Sequence, residues 1–403
     1  MKALFLDLFG ASGGVGRCSR EIFRQLERDG ISAVLCGQSH VVESFKERLP
    51  ALSHLQMINL ERPKLSLKSL KIKIAARHAE QSPRLANALL SESIKAAQNG
   101  RPLSTALVTF PQMIAPPDIN IKYCVFIHDL NWRLYPGNFS DPGLIDRNCR
   151  GWVDRATAVV ANSACTRDEV ITQYGCAPEK VVAAPLAPFH ETASVEFDTA
   201  GFLAGLGLKL GQYYLFPGVW GLHKGHETLT EAIEKSSGVC PVVVTCGMPL
   251  SGIQTAAGSV GEFRRSLAVR WDGLIAERRL VVVHNLPDAE MQALRINCRA
   301  YVIPARYEGF GFPMAEAVYH HRPAIVSDIP AHREILQRYP QYRLASIFPA
   351  GSSSALAFEL GRSLPEQPPA PTSWRQDIEN TWSWKHTTQP LLSAMGVEMM
   401  PLQ

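Results

Sequence analysis

Ala300 to Asp328 reads AYVIPARYEGFGFPMAEAVYHHRPAIVSD, and this stretch decides the fold class. Tyr301-Val302-Ile303 is an apolar run short enough for a buried parallel strand. A Gly-rich loop follows, from Arg306 to Phe312. Pro313 stands where helices favour proline, at the first helical position, whose N–H has no intrahelical partner in any case. Met314 to His320 predicts a short helix, and Pro323 with Ala324-Ile325-Val326-Ser327 predicts the return to a strand. The unit is strand–loop–helix–strand, with a polar loop at the strand's carboxyl end, where open α/β sheets place their ligands. Two carboxylates mark it: Glu308 in the loop and Glu316 in the first helical turn, with seven residues between them. The helix N-terminus offers unpaired N–H groups and a positive dipole end to a phosphate. Gly309 and Gly311 let a ligand approach the main chain. Without a ligand, Glu316 merely complements the helix dipole and Glu308 is a solvated loop charge.

Composition narrows the classes. The 403 residues are enough for two domains with full cores, and 46% apolar against 19% charged content describes a folded chain, not a disordered one. A net charge of +4 gives no footprint for nucleic acid. The nine cysteines (18, 36, 124, 149, 165, 176, 240, 246, 298) form no C-x-x-C pair, so neither a zinc knuckle nor a redox motif is visible. Several of them lie in apolar runs, as small buried hydrophobes do in a reducing cytoplasm. MKALFLDLFG carries Asp7 and reads as a first strand, not a signal peptide. No apolar run approaches the roughly 20 residues of a membrane span.

Along the chain, Ala3 to Leu8 predicts the first strand. GASGGVGR follows, with glycines at 10, 13, 14 and 16, and then a helix from Arg17 to Arg28. A dinucleotide fold wants G-x-G-x-x-G and an acidic residue closing the second strand. Here the second strand, Ser32 to Cys36, ends in Gly37-Gln38-Ser39, so no carboxylate waits for a ribose. The segment 63–84 carries six basic residues against Glu80. It reads first as a solvated helix covering a core edge, and second as a basic amphipathic surface for anionic lipid or a lipid-linked acceptor. Further strands are predicted at 106–108, 123–127, 158–161, 213–217, 242–247 and 281–283. His128-Asp129 closes the second of these, and Trp132, Tyr135 and Phe139 occupy the next loop, to stack on a sugar or simply to pack. Asn162-Ser163 with Thr166 caps a helix over 167–174. Lys224-Gly225 precedes another helix, where an ammonium neutralises phosphate charge and the helix start adds N–H donors. PLAPFHETASVEFDT (185–199) reads as an interdomain connection and PEQPPAPT (365–372) as an extended linker.

EGFGFPMAEA resembles the Glu–seven–Glu motif of the group 1 (family 4) retaining nucleotide-sugar glycosyltransferases. The resemblance implies the GT-B fold: α/β, two facing Rossmann-like domains with the site in the cleft between them. Residues 1–190 would form the acceptor domain and 205–375 the donor domain, with 376–403 a helix crossing back to the first domain. By resemblance Glu316 holds the donor ribose, Glu308 lies against the donor sugar, and the backbone at Phe310 and Gly311 approaches sugar and phosphate. Gly13 and Gly14 match the glycine loop under the diphosphate, and His128 matches a histidine beside the reacting carbon. Lys224 matches the phosphate-binding lysine. Gly218 belongs to the loop before it, while Asn285 and Leu286 end a strand that frames the nucleobase. One position departs from the pattern: the family has an Arg five residues before this lysine, and here Val219 stands there, with His223 or Arg306 as substitutes.

The implied activity is transfer, with retention, of a hexosyl group (mannosyl first, from GDP-mannose) to a hydroxyl of a glycan or lipid-linked glycan, as in bacterial polysaccharide biosynthesis. No cofactor is implied beyond that substrate. The chain contains no D-x-D, so no metal is expected, and no nucleic-acid partner. The expected location is cytoplasmic, with peripheral contact to the inner membrane face through 63–84 as an option. Two other readings stand beside this one: a nucleotide-sugar epimerase of the same fold, and a degenerate subunit of a polysaccharide assembly complex, to which Val219 lends support.

Overall fold

A computed structural model describes residues 3–6, 13–38, 42–43, 45–46, 55–60, 105–109, 111–113, 115–116, 122–189, 197–236, 238–246, 251–252, 258–362 and 370–397. The basic segment 63–84 lies outside them, as do 190–196 of the expected connection and 365–369 of the Pro-rich stretch. The chain divides into two compact units. The first holds Met1–Leu134, Phe139–Ala187 and Trp382–Gln403, and the second Tyr135–Asn138 with Pro188–Thr381.

The first unit is built on seven parallel strands in the order β3-β2-β1-β4-β5-β6-β7. These are β1 (Ala3–Leu6), β2 (Ala33–Gln38), β3 (Leu55–Leu60), β4 (Thr105–Val108), β5 (Tyr123–Ile127), β6 (Ala158–Ala161) and β7 (Val181–Ala183). Its helices among the described residues include α1 (Gly13–Arg28), the short α2 (Asn131–Leu134), α3 (Pro142–Arg155) and α4 (Ala164–Tyr174). Parallel strands covered by helices on both faces read as unbroken apolar runs, and β5 is buried along its whole length. Val125, Ile127 and Val159 form the core there with Trp152 of α3.

The second unit repeats the scheme with six parallel strands, β10-β9-β8-β11-β12-β13. They are β8 (Tyr214–Pro217), β9 (Val242–Cys246), β10 (Leu280–His284), β11 (Ala300–Ile303), β12 (Ala324–Ser327) and β13 (Ala345–Phe348). Its helices are α5 (Thr199–Gly205), α6 (His226–Lys235), α7 (Gly258–Ala276), α8 (Asp288–Asn297), α9 (Phe312–Tyr319), α10 (Pro330–Arg338), α11 (Ser353–Gly361) and α12 (Trp374–Thr381). Val244, Val302 and Ile325 pack with Leu229 and Trp271 as its core. In both sheets the winding direction reverses beside the first strand. For the second unit that switch lies between β8 and β11, which pair in register at Tyr214 and Ala300.

Two expectations need correction, and the alternative left open at Trp132 is decided. Helix α1 begins at Gly13, not Arg17, so glycines 13, 14 and 16 form its first turn and not a loop. The buried row of Cys18, Ile22, Phe23 and Leu26 anchors the helix, and tertiary packing of such a face outweighs the low propensity of glycine. Trp132 is 4% exposed, with its indole N–H donating to Asp146, so it packs and offers no face to a sugar. Among the described residues the tail expected as one helix over 376–403 is two. It breaks at Trp382-Ser383 into α12 and α13 (Trp384–Ala394), because Ser383 caps α13 reciprocally with His386. Helix α13 belongs to the first unit, where Thr387 donates to the carbonyl of Pro185 at 2.7 Å and Cys124 to that of Ala394 at 3.3 Å.

Candidate active site

The loops leaving β8 and β11 come from the switch point, where a parallel α/β sheet opens a crevice at its carboxyl edge. After β8 the chain makes one tight turn, Leu222–Lys224, and passes through Gly225 with φ of 77°. That glycine is required twice over. Its φ is in the left-handed region, and a Cβ there would stand 2.0 Å from the carbonyl oxygen of Pro304, just beyond β11. Two residues further on, the N–H of Arg306 donates to the carbonyl of His223 at 2.7 Å. The two loops are therefore stitched backbone to backbone. Gly225→Ala is expected to cost about 3 kcal/mol, read as a lowered urea midpoint with an unchanged slope. An unaltered midpoint would mean that the loops can separate freely.

The stitching brings Lys224 to Glu308. The ammonium donates to both carboxylate oxygens at 2.8 Å, and the two side chains are only 16% and 10% exposed. Burial pushes the Glu308 carboxyl up, but the charge of Lys224, with His223 and His332 adding to it, outweighs burial and holds it below the usual carboxylate range. Glu308 is thus buried and paired, not a solvated loop charge. His223 precedes the lysine and is driven down to about 4 by burial and by the Lys224 charge. A neutral imidazole cannot stand in for the arginine absent at Val219, which is 54% exposed. Arg306 lies on the same pair of loops and donates to Thr228 in the first turn of α6 at 3.4 Å.

Helix α9 starts from Gly311, at φ of 94°, with no side chain capping it. A Cβ on Gly311 would meet the His332 ring at 3.4 Å and Ile335 at 3.5 Å, so α10 supports this turn from one side. The ring of Phe310 is buried against Phe312, which stacks on Phe189 at 4.1 Å. Glu316 is buried on α9 and paired with Arg295 of α8 at 3.0 Å, both side chains 9% exposed. The pairing is more than a dipole effect: a buried cation holds this carboxylate. Sequence reasoning did not single out Arg295. The available signal was a charged residue on the buried face of α8, after Ala293 and Leu294.

The other expected residues follow other strands. Gly218 follows β8, and its N–H donates to the carbonyl of Thr245. Asn285, at φ of 49°, and Leu286 follow the edge strand β10. Two strand spacings put them about 10 Å from β8. Gly13, Gly14 and His128 belong to the first unit. His128 follows β5, where the amide of Asn162 donates to its carbonyl at 2.7 Å. Burial pushes its imidazole down to about 3, so it is neutral at pH 7.

Comparisons with known proteins bear on family and fold. Residues 209–371 match the model of the family described as "Glycosyl transferases group 1". The serotype-specific mannosyltransferase WbdA of Escherichia coli is 31% identical over 120 residues, 30% of this chain and 14% of that protein. The O-antigen chain mannosyltransferase RfbU of Salmonella typhimurium is 23% identical over 213 residues, 53% of this chain and 54% of that one. The chain thus spans between a seventh and about half of the length of these curated relatives. Among solved structures, HepE of Anabaena with UDP and glucose aligns at a TM-score of 0.68, 14% identity, covering 98% of this chain and 99% of that one. Sucrose-phosphate synthase of Thermosynechococcus elongatus aligns at 0.63 and 15% identity, covering 98% of each chain. The fold is therefore that of the GT-B glycosyltransferases, two α/β units each on a parallel sheet, with the group 1 family match lying in the second unit.

Proposed function

We propose that this chain is a retaining glycosyltransferase that takes a hexosyl group from a nucleoside-diphosphate sugar, with mannosyl first among the candidates. The observation that carries the reading is the Lys224–Glu308 pair at the switch point. Cleavage of the bond between the anomeric carbon and the phosphate oxygen sends an electron pair to the diphosphate and leaves an oxocarbenium-like sugar. Negative charge grows on one side and positive charge on the other. A lysine beside the first N–H groups of α6 suits the leaving diphosphate, and an ionised Glu308 suits the sugar. Glu316 supplies acceptor oxygens to the ribose diol. The incoming hydroxyl adds from the face the diphosphate leaves, and its proton passes to a phosphate oxygen, so no protein nucleophile and no metal is invoked. The mannosyl preference is supported by the names of the relatives, and the acceptor is a hydroxyl of a glycan or lipid-linked glycan.

The test is thermal stabilisation across GDP, UDP, ADP and dTDP and their sugars, with Glu316→Gln as control. A ligand at 100 times its Kd adds about 2.7 kcal/mol. One nucleotide should stand out and lose most of its effect in the Glu316 variant. Silence across the panel would sink the reading.

A further inference from the structure

One group at this site comes from far away in sequence. Residues 135–138 belong to the second unit, although the chain on either side belongs to the first. Asn138 reaches the turn that carries Lys224 with both ends of its amide. Its oxygen accepts from the N–H of Leu222 at 2.8 Å, and its NH2 meets Nδ1 of His223 at 3.0 Å. The first bond fixes the orientation of the amide, since only the oxygen can accept from a backbone N–H. The second must then be a donation to Nδ1, which places the imidazole proton on Nε2. Next to it, a Cβ on Gly137 would stand 3.0 Å from the Leu222 side chain, so the segment lies close against the turn.

The geometry points to Asn138 as a positioning residue for the donor diphosphate: it sets the turn that carries Lys224 and fixes the tautomer of the adjacent His223. This inference rests on the donor-site reading above. The physical reason is charge balance. Lys224 and Glu308 already form a neutral pair, and a negative charge at position 138 would set that balance against an incoming diphosphate. The groups around that imidazole are Lys224, Glu308, His226 and the ring of Tyr135 at 6.0 Å. Arg306 approaches through its backbone N–H on the His223 carbonyl. Of these, only Glu308 favours the imidazolium, and Lys224 engages both of its oxygens. Placing a carboxylate where the Asn138 amide now donates would change that balance and make the site titrate.

Asn138→Asp keeps an oxygen for Leu222 and replaces the donor with an anion facing Nδ1. The measurement is the Kd of whichever of GDP, UDP, ADP and dTDP stabilises wild type most, by calorimetry from pH 5.5 to 8.5. The ratio of variant to wild-type Kd cancels the titration of the diphosphate itself. That ratio is expected to be about tenfold at pH 8, where the introduced carboxylate adds negative charge, and to approach one near pH 6 as His223 takes a proton. Asn138→Asp with His223→Gln should show a constant ratio. A ratio of one throughout, or a constant loss that tracks lowered thermal stability, overturns the inference and leaves the donor reading intact. So does a pH dependence that survives in the double variant. Wild type that binds none of the four diphosphates overturns the donor reading and this inference with it.

Discussion

Lys224→Met is expected to lower folding stability by about 3–5 kcal/mol and to reverse the slope of stability against pH in the acid range. Glu308 is 10% exposed, and among the described residues the cation that touches it is the ammonium lying on both oxygens. Without it, a buried carboxylate faces desolvation alone, which is far costlier than replacing both partners with neutral groups of similar shape. In wild type the Glu308 pKa is held below its ordinary value of 4.5. Its contribution is therefore present above that value and fades as pH falls through the lower, folded pKa. In Lys224→Met burial prevails and the folded pKa rises above 4.5, so the variant gains stability as the pH is lowered from 7 toward 5. Urea denaturation at several pH values checks both statements. Lys224→Met with Glu308→Gln should regain most of the loss but none of the transfer activity proposed above, which separates the structural cost from the chemical one. A single variant with wild-type stability at pH 7 would contradict the buried pair.

Arg295→Met should be comparably damaging, at about 3–5 kcal/mol, for a site that composition alone did not reveal. Arg295 and Glu316 are each 9% exposed and 3.0 Å apart, and they bind helix α8 to helix α9. Arg295→Lys keeps the charge but loses the planar fork, so it should retain most of the stability while holding the carboxylate less firmly. The expected signature is a modest fall in urea midpoint with a larger fall in nucleotide stabilisation. Arg295→Met with Glu316→Gln should fold, because two neutral groups replace two charges, and should show almost no response to nucleotide. Equal midpoints for Arg295→Met and wild type would mean that the pair is not the anchor its burial implies.

Five of the six strands of the second unit were legible as short apolar runs bounded by turns, whereas β13, Ala345–Phe348, is only partly buried and gave no such run. Lys224 and Glu308 could be placed separately at strand ends. Their 2.8 Å contact depends on the strand order, since only adjacency of β8 and β11 brings together residues so distant in sequence. The contacts of Asn138 had no local signature, an asparagine in a loop being ordinary in isolation, and those of Arg295 had only the weak one of a charge on the buried face of α8. Helix α1 was misread at its start because glycine reads as a breaker, and burial of the following turns decided otherwise. The split between α12 and α13 was hidden because His386 takes the place at which a capping box usually shows Glu or Gln.

The first unit is discontinuous: α13 packs against α1 and accompanies β6 and β7, and Trp382 donates to the carbonyl of Leu186. On the ribosome, those contacts become available only after the whole second unit has been made. The second unit needs only the early segment 135–138 from outside its continuous run, so it can close first. The first unit must wait with its helix face uncovered for nearly two hundred residues of synthesis. A fragment ending at Ala187 would therefore be no autonomous domain, and dissecting this protein into halves requires carrying the segment that begins at Trp382 along with the first.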